Sequence, residues 1–276
     1  MTIHADPILQ IPWGLLHDIT PPYNVEEDIY DSFWARRYKV VTLYNGTQPR
    51  NLRAARHFDR LRLISAFNQF VFESTKTLLN RSDQQVVDWF SHRPVGAAFS
   101  TAGVRQRWRE VGENDCLIHF FGHASGRELR FSESDVLTAS QFRSLFRHES
   151  GLITRRGAPS YVLTILNGCA TGAGHDAESF LEATADPGFC GFIGAEAPVP
   201  DNFALLFAQE LMYSLILESR SVRETMLHLW TTHKPMALFY GCYAHPDFRI
   251  ESAPKDPDIF CTFQNRNISY VGIAGN

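Results

Sequence analysis

Two stretches decide how this chain reads: Ile118-His119-Phe120-Phe121-Gly122-His123-Ala124-Ser125-Gly126 and Leu163-Thr164-Ile165-Leu166-Asn167-Gly168-Cys169-Ala170-Thr171-Gly172. Each is an apolar run that stops in a corner of small residues, and each corner carries one reactive side chain. Apolar strands ending at Gly-rich corners are how an open α/β sheet presents chemistry at the carboxyl ends of its strands. The side chains delivered here are an imidazole, His123, and a thiol, Cys169. That pair is the minimum set for a cysteine nucleophile activated by a general base. The near-continuous apolar character of 115–122 predicts burial on both faces, as in a parallel sheet.

On either side of these corners, strand-like runs alternate with helical spacing. Strands are expected over 60–67, 95–99, 115–122, 161–166, 191–194 and 236–240, with 127–131 as a short exposed strand. Helices are expected over 75–90 (Leu78, Leu79, Val86, Val87 and Phe90 at helical spacing), 104–111, 139–147, from 176 to 183, over 203–217 and over 221–230. Asp201 is the expected N-cap of the long apolar helix at 203–217. Near the start, 39–44 is a β-branched run closed by Asn45-Gly46, and an apolar arm at 8–18 carries Trp13, expected to pack on the main body. Alternation of this kind implies a layered α/β sandwich with a mostly parallel central sheet of six strands. The expected organisation is an extension over 1–58, a core domain over 59–250 and a polar tail over 251–276.

Bulk properties narrow the function classes. With 44% apolar and 20% charged residues among 276, the chain is neither disordered nor fibrous. A formal net charge of -4 gives no electrostatic reason for a nucleic acid or an anionic membrane as partner. No run of 18 apolar residues exists, and the first residues lack a charged-then-apolar signal pattern. The five cysteines, Cys116, Cys169, Cys190, Cys242 and Cys261, are widely spaced, odd in number and form no CxxC pair. Neither a disulfide framework nor a zinc site is expected, no cofactor is called for, and a reducing, cytoplasmic setting fits best.

His119-Phe120-Phe121-Gly122-His123, then Gly168-Cys169-Ala170-Thr171-Gly172, then Ala197-Pro198-Val199-Pro200-Asp201 before a long helix resemble the CHAT family of caspase-like cysteine peptidases, related to caspases, metacaspases and separases. Pro12-Trp13-Gly14-Leu15-Leu16 and Phe239-Tyr240-Gly241 are looser matches. The resemblance implies a caspase-like three-layer αβα sandwich and a cysteine endopeptidase. His123 would then be the base, Cys169 the nucleophile, and the backbone N–H groups of Ala124 and Cys169 the oxyanion donors. Each such donor supplies roughly 2.7–4 kcal/mol of transition-state stabilisation. Asn167 stands where metacaspases place an Asp that receives a basic P1 side chain, and Asp201, Asp176 and Glu178 are further candidates for the S1 pocket. Family members act when a sensor releases them, so a protein or peptide substrate and a regulatory protein partner are both implied. Since the chain begins with Met1 and has no long helical-repeat region, that regulator is expected as a separate polypeptide or a removed segment.

Other reactive residues read more plainly. His119 is expected to be a packed, hydrogen-bonded histidine, His175 an exposed loop residue, and Cys116, Cys190, Cys242 and Cys261 structural. Ser125 lacks a surrounding Gly-x-Ser-x-Gly and reads as a turn residue. Two other functions are compatible with the same residues: a catalytically silent caspase-like module that binds protein, and an amidase or acyl-transferring enzyme using the same dyad.

Overall fold

The structure is a computed structural model and describes residues 2–5, 16, 33–34, 41–44, 55–57, 61–77, 97–112, 114–148, 162–172, 179–184 and 189–251. At its centre are β6 (Asp115–Phe121) and β9 (Val162–Asn167), every residue of which is buried. Strands so apolar can exist only where both faces are covered. They pair with each other in parallel, Phe121 opposite Asn167. The sheet extends on one side through β4 (Leu61–Phe67) and β5 (Ala97–Ala98), and on the other through β10 (Phe189–Ala195) and β11 (Tyr240–Cys242). Its order is β11-β10-β9-β6-β4-β5, parallel throughout except for the antiparallel edge strand β11.

Alternation along each strand sends side chains to two separate apolar layers. Leu117, Phe121, Leu163, Ile165 and Ile193 face α1 (Gln69–Thr77), α5 (Asp201–Ile216) and α6 (Val222–Thr232). Ile118, Phe120, Val162, Leu166 and Phe192 face α2 (Thr101–Val111), α3 (Ala139–His148) and α4 (Phe180–Ala183). The expected three-layer αβα sandwich with its six-stranded, mostly parallel sheet is therefore the observed fold. Between the His corner and α3 lies a hairpin, β7 (Glu128–Arg130) with β8 (Val136–Thr138). Outside the main sheet, β1 (Thr2–Ala5) pairs with β2 (Val41–Tyr44), and β3 (Ala55–His57) with β12 (Arg249–Glu251).

Several local expectations change. A helix over Gln69–Thr77, capped by Asn68, whose Oδ1 accepts from the Val71 N–H at 3.1 Å, overlaps the expected 75–90 only at 75–77, and the rest of that expectation lies outside the described residues. Asp201 is not the N-cap of α5 but its first helical residue. Pro200, extended at ψ 138, is the cap and makes no side-chain hydrogen bond. The carboxylate of Asp201 still lies at the positive end of the helix. The strand expected over 236–240 is a 3-10 turn, Met236–Phe239, entered from Pro235 in a helical conformation, and β11 starts only at Tyr240. By contrast, Ser221 forms a full capping box with Glu224 at the start of α6. Trp13, Asn45-Gly46, Leu78 to Phe90, and the tail beyond 251 lie outside the described residues.

Candidate active site

The His corner follows β6. Gly122 turns the chain at φ 154, a conformation that favours glycine, and a Cβ there would lie 2.5 Å from the Cβ of Asn68. His123 comes next and is exposed. Its carbonyl accepts from the Arg130 N–H at 2.9 Å, so the hairpin strand β7 closes the corner from outside. Ala124 bridges to Leu129, and the Ser125 N–H donates to Glu128 O at 2.9 Å.

The Cys corner follows β9 as a tight turn, with the Thr171 N–H reaching Gly168 O at 3.4 Å. The Thr171 hydroxyl lies 2.7 Å from Leu166 O and 3.1 Å from Gly168 O, pinning the far side of the turn to the strand it leaves. Ala170 sits at φ 55, a left-handed conformation uncommon for a residue with a Cβ. Such local strain persists where surrounding bonds over-determine the backbone. Cys169 is half-buried, whereas Cys116, Cys190 and Cys242 are buried, so among the described residues it is the one thiol open to a reagent. Burial also pushes the Cys242 thiol up to about 12 and the Cys116 thiol further still, leaving both inert as nucleophiles.

Adjacent parallel strands bring the two corners into contact. The Gly122 N–H donates to Asn167 O at 3.4 Å, continuing the β6–β9 ladder by one step. A Cβ at Gly168 would stand 2.5 Å from Ala124 Cβ and 2.7 Å from Gly122 O. Glycine at 168 is thus what lets the Cys turn sit against the His turn. At this junction neither the Ala124 N–H nor the Cys169 N–H donates to any described residue. No hydrogen bond joins the His123 ring to the Cys169 thiol.

Asn167, Tyr240 and Glu196 lie beside the two corners. Asn167, an expected pocket residue, is 1% exposed and fully engaged: its Nδ2 donates to Ala204 O on α5, and its Oδ1 accepts from the Tyr240 hydroxyl. Tyr240 stacks on Phe207, and burial first, then the neighbouring Cys169, holds its phenol protonated well above its ordinary range. Asp201 is exposed at the start of α5, while His175, Asp176 and Glu178 lie outside the described residues. On the opposite side, Glu196 follows β10, packs beside Gly172 and Gly241, and accepts from the Tyr243 hydroxyl. Burial raises its carboxyl to about 7, although the Tyr243 bond pulls the other way. In sequence, Tyr240 carries only the loose match of Phe239-Tyr240-Gly241, and Glu196 no signal beyond its place after a strand.

His119 departs from expectation. It is packed, with its ring 5.9 Å from that of Phe67, but neither ring nitrogen has a hydrogen-bond partner among the described residues. The backbone polar groups around it are consumed by the sheet ladder, its lateral neighbours are Ser65 and Ile165, and the layer it faces is apolar. Burial lowers its imidazole to about 3, so it stays neutral.

No protein-family model and no curated protein matches the chain. Among solved structures, the fold is similar to a chain of the crystal structure of the Saccharomyces cerevisiae separase–securin complex, with a TM-score of 0.52 and 12% identity. The match covers 87% of this chain and 15% of that one, so the present chain corresponds to a small part of the longer protein. At this identity the similarity speaks to the fold, which is caspase-like.

Proposed function

We propose that the chain is a cysteine endopeptidase of the caspase-like CHAT type. The observation that carries this reading is the junction of two corners: an exposed imidazole and a half-buried thiol after neighbouring parallel strands, with the backbone N–H groups of Ala124 and Cys169 donating to no described residue. In the proposed reaction His123 takes the thiol proton as the Cys169 sulfur attacks the scissile carbonyl. The N–H groups of Ala124 and Cys169 receive the oxyanion. Collapse expels the amine, protonated by His123, and leaves an acyl-enzyme. Water then adds with His123 as base and frees the carboxylic acid and the thiol. The proposed catalytic unit is 59–250, with 1–58 as an extension and 251–276 as a tail. The similar solved structure is a complex with a second protein, in line with a protein substrate and a regulatory partner for this chain.

Incubation of wild-type protein and Cys169→Ala with a peptide library and candidate partner proteins, read by mass spectrometry, tests this. Cleavage should be present in the wild type and absent in the variant, and the new termini give the P1 preference. Persistent cleavage by Cys169→Ala would refute the assignment. A second reading, a silent protein-binding module, is favoured by the sealed position of Asn167 and the unjoined His123 and Cys169. It predicts that Cys169 fails to react with a peptidyl electrophile even with partner present.

A further inference from the structure

The orientation of His123 depends on a residue 55 positions earlier in the chain: we propose that Asn68 is the positioning residue for the general base. This rests on the peptidase reading for its catalytic meaning, but the geometry stands separately. Asn68 is buried, follows the end of β4, and touches Phe121 and Gly122 of the His corner and Arg130 of the hairpin. Its own N–H donates to Phe121 O at 2.9 Å, just before the corner. Its Cβ fills the space left by the absent side chain of Gly122, where a Cβ would come within 2.5 Å. Its Nδ2 donates to Arg130 O at 3.0 Å, and the Arg130 N–H in turn donates to His123 O at 2.9 Å.

The remaining polar atoms fix Asn68 itself. Oδ1 caps α1 through the Val71 N–H at 3.1 Å, and its carbonyl accepts from Phe72 N–H at 2.9 Å. One residue, through its backbone and its side-chain amide, therefore ties the end of β4, the start of α1 and the outer hairpin to the short segment that carries the imidazole. An exposed ring on a turn has few contacts of its own to define its direction, so the backbone beneath it must do so. A misplacement of about 1 Å in such a group can cost about 10²-fold in rate.

Asn68→Asp separates this role from simple folding. It keeps the Oδ1 helix cap but replaces the donor facing the Arg130 carbonyl with an acceptor. Asn68→Ser is the second variant, keeping only a short capping oxygen. On a substrate identified as above, both should fold cooperatively and lose at least tenfold in kcat, with KM within threefold. The rate of Cys169 alkylation by iodoacetamide at pH 7, located by mass spectrometry, should fall to that of His123→Ala. Folded variants with kcat and alkylation within twofold of wild type would overturn the proposal while leaving the peptidase reading intact. Where wild type cleaves nothing, the peptidase reading fails, and the alkylation rates alone decide: slowing in Asn68→Asp and His123→Ala alike supports positioning, and no change in Asn68→Asp overturns it.

Discussion

His119 and Glu196 are both titratable groups held away from water near the carboxyl ends of the strands, and they tilt the pH dependence of stability in opposite directions. His119 titrates at about 3 when folded against an ordinary 6.5. Between these values the unfolded chain binds a proton that the folded chain refuses, so stability falls as pH drops from about 6.5 towards 3. Replacing this unpartnered ring by leucine should flatten that dependence and raise the urea midpoint at pH 5, since an unpaired buried polar group costs roughly 1–3 kcal/mol. A lower midpoint in His119→Leu would show that the ring nitrogens have a partner after all. Glu196 titrates at about 7 against 4.5, so here the folded state keeps a proton that the unfolded chain has lost, and stability falls as pH rises from about 4.5 to 7. Glu196→Gln retains an acceptor for Tyr243 and should be more stable than wild type at pH 8 but not at pH 4, as thermal melts at both pH values will read.

The two corners act as one element although they belong to different strands. Gly168 and Ala124 are packed so closely that a methyl group at 168 meets both the Ala124 side chain and the Gly122 carbonyl. Gly168→Ala is expected to cost about 1–3 kcal/mol, as overpacking does, and, on the proposed peptidase reading, to abolish cleavage by pushing the two turns apart. Adding Ala124→Gly removes one of the two collisions and leaves the carbonyl in place. The double variant should therefore recover part of the stability and only a fraction of the activity. Full recovery in peptide assays and urea melts would mean that the Gly122 carbonyl is free to move. At this scale the Cys turn is held by the Thr171 hydroxyl, while the His turn is held by Asn68 and the hairpin.

Across the whole molecule the sheet separates two apolar layers. Ile64 faces the α2, α3 and α4 side, and Ile216 on α5 belongs to the other. Ile→Val at each should cost roughly 0.5–1.5 kcal/mol, and the double variant should match the sum within about 0.5 kcal/mol in urea titrations. Larger coupling would show that strain passes through the sheet. The same architecture explains which sequence readings succeeded. Strands β4, β6 and β9 and helices α2, α3 and α6 match their expected spans closely, because continuous apolar runs and helical spacing are local signals. The start of α1 was obscured by Gln69 and Phe70, which point outward, Phe70 at 81% exposure. The run at 236–240 is apolar in either conformation, and only its place after Pro235 beside α6 makes its first part a 3-10 turn.

The residues alone determined that an imidazole and a thiol would each stand at the end of a buried strand, since side-chain period and corner glycines are properties of a few neighbouring positions. Tertiary structure decided that β6 and β9 are neighbours, that Asn167 is sealed against α5, that His119 has no hydrogen-bond partner among the described residues, and that Asn68 and Glu196 flank the corners. These depend on hydrogen-bond ladders and packing between segments far apart in the chain, for which no short stretch of sequence carries a signal.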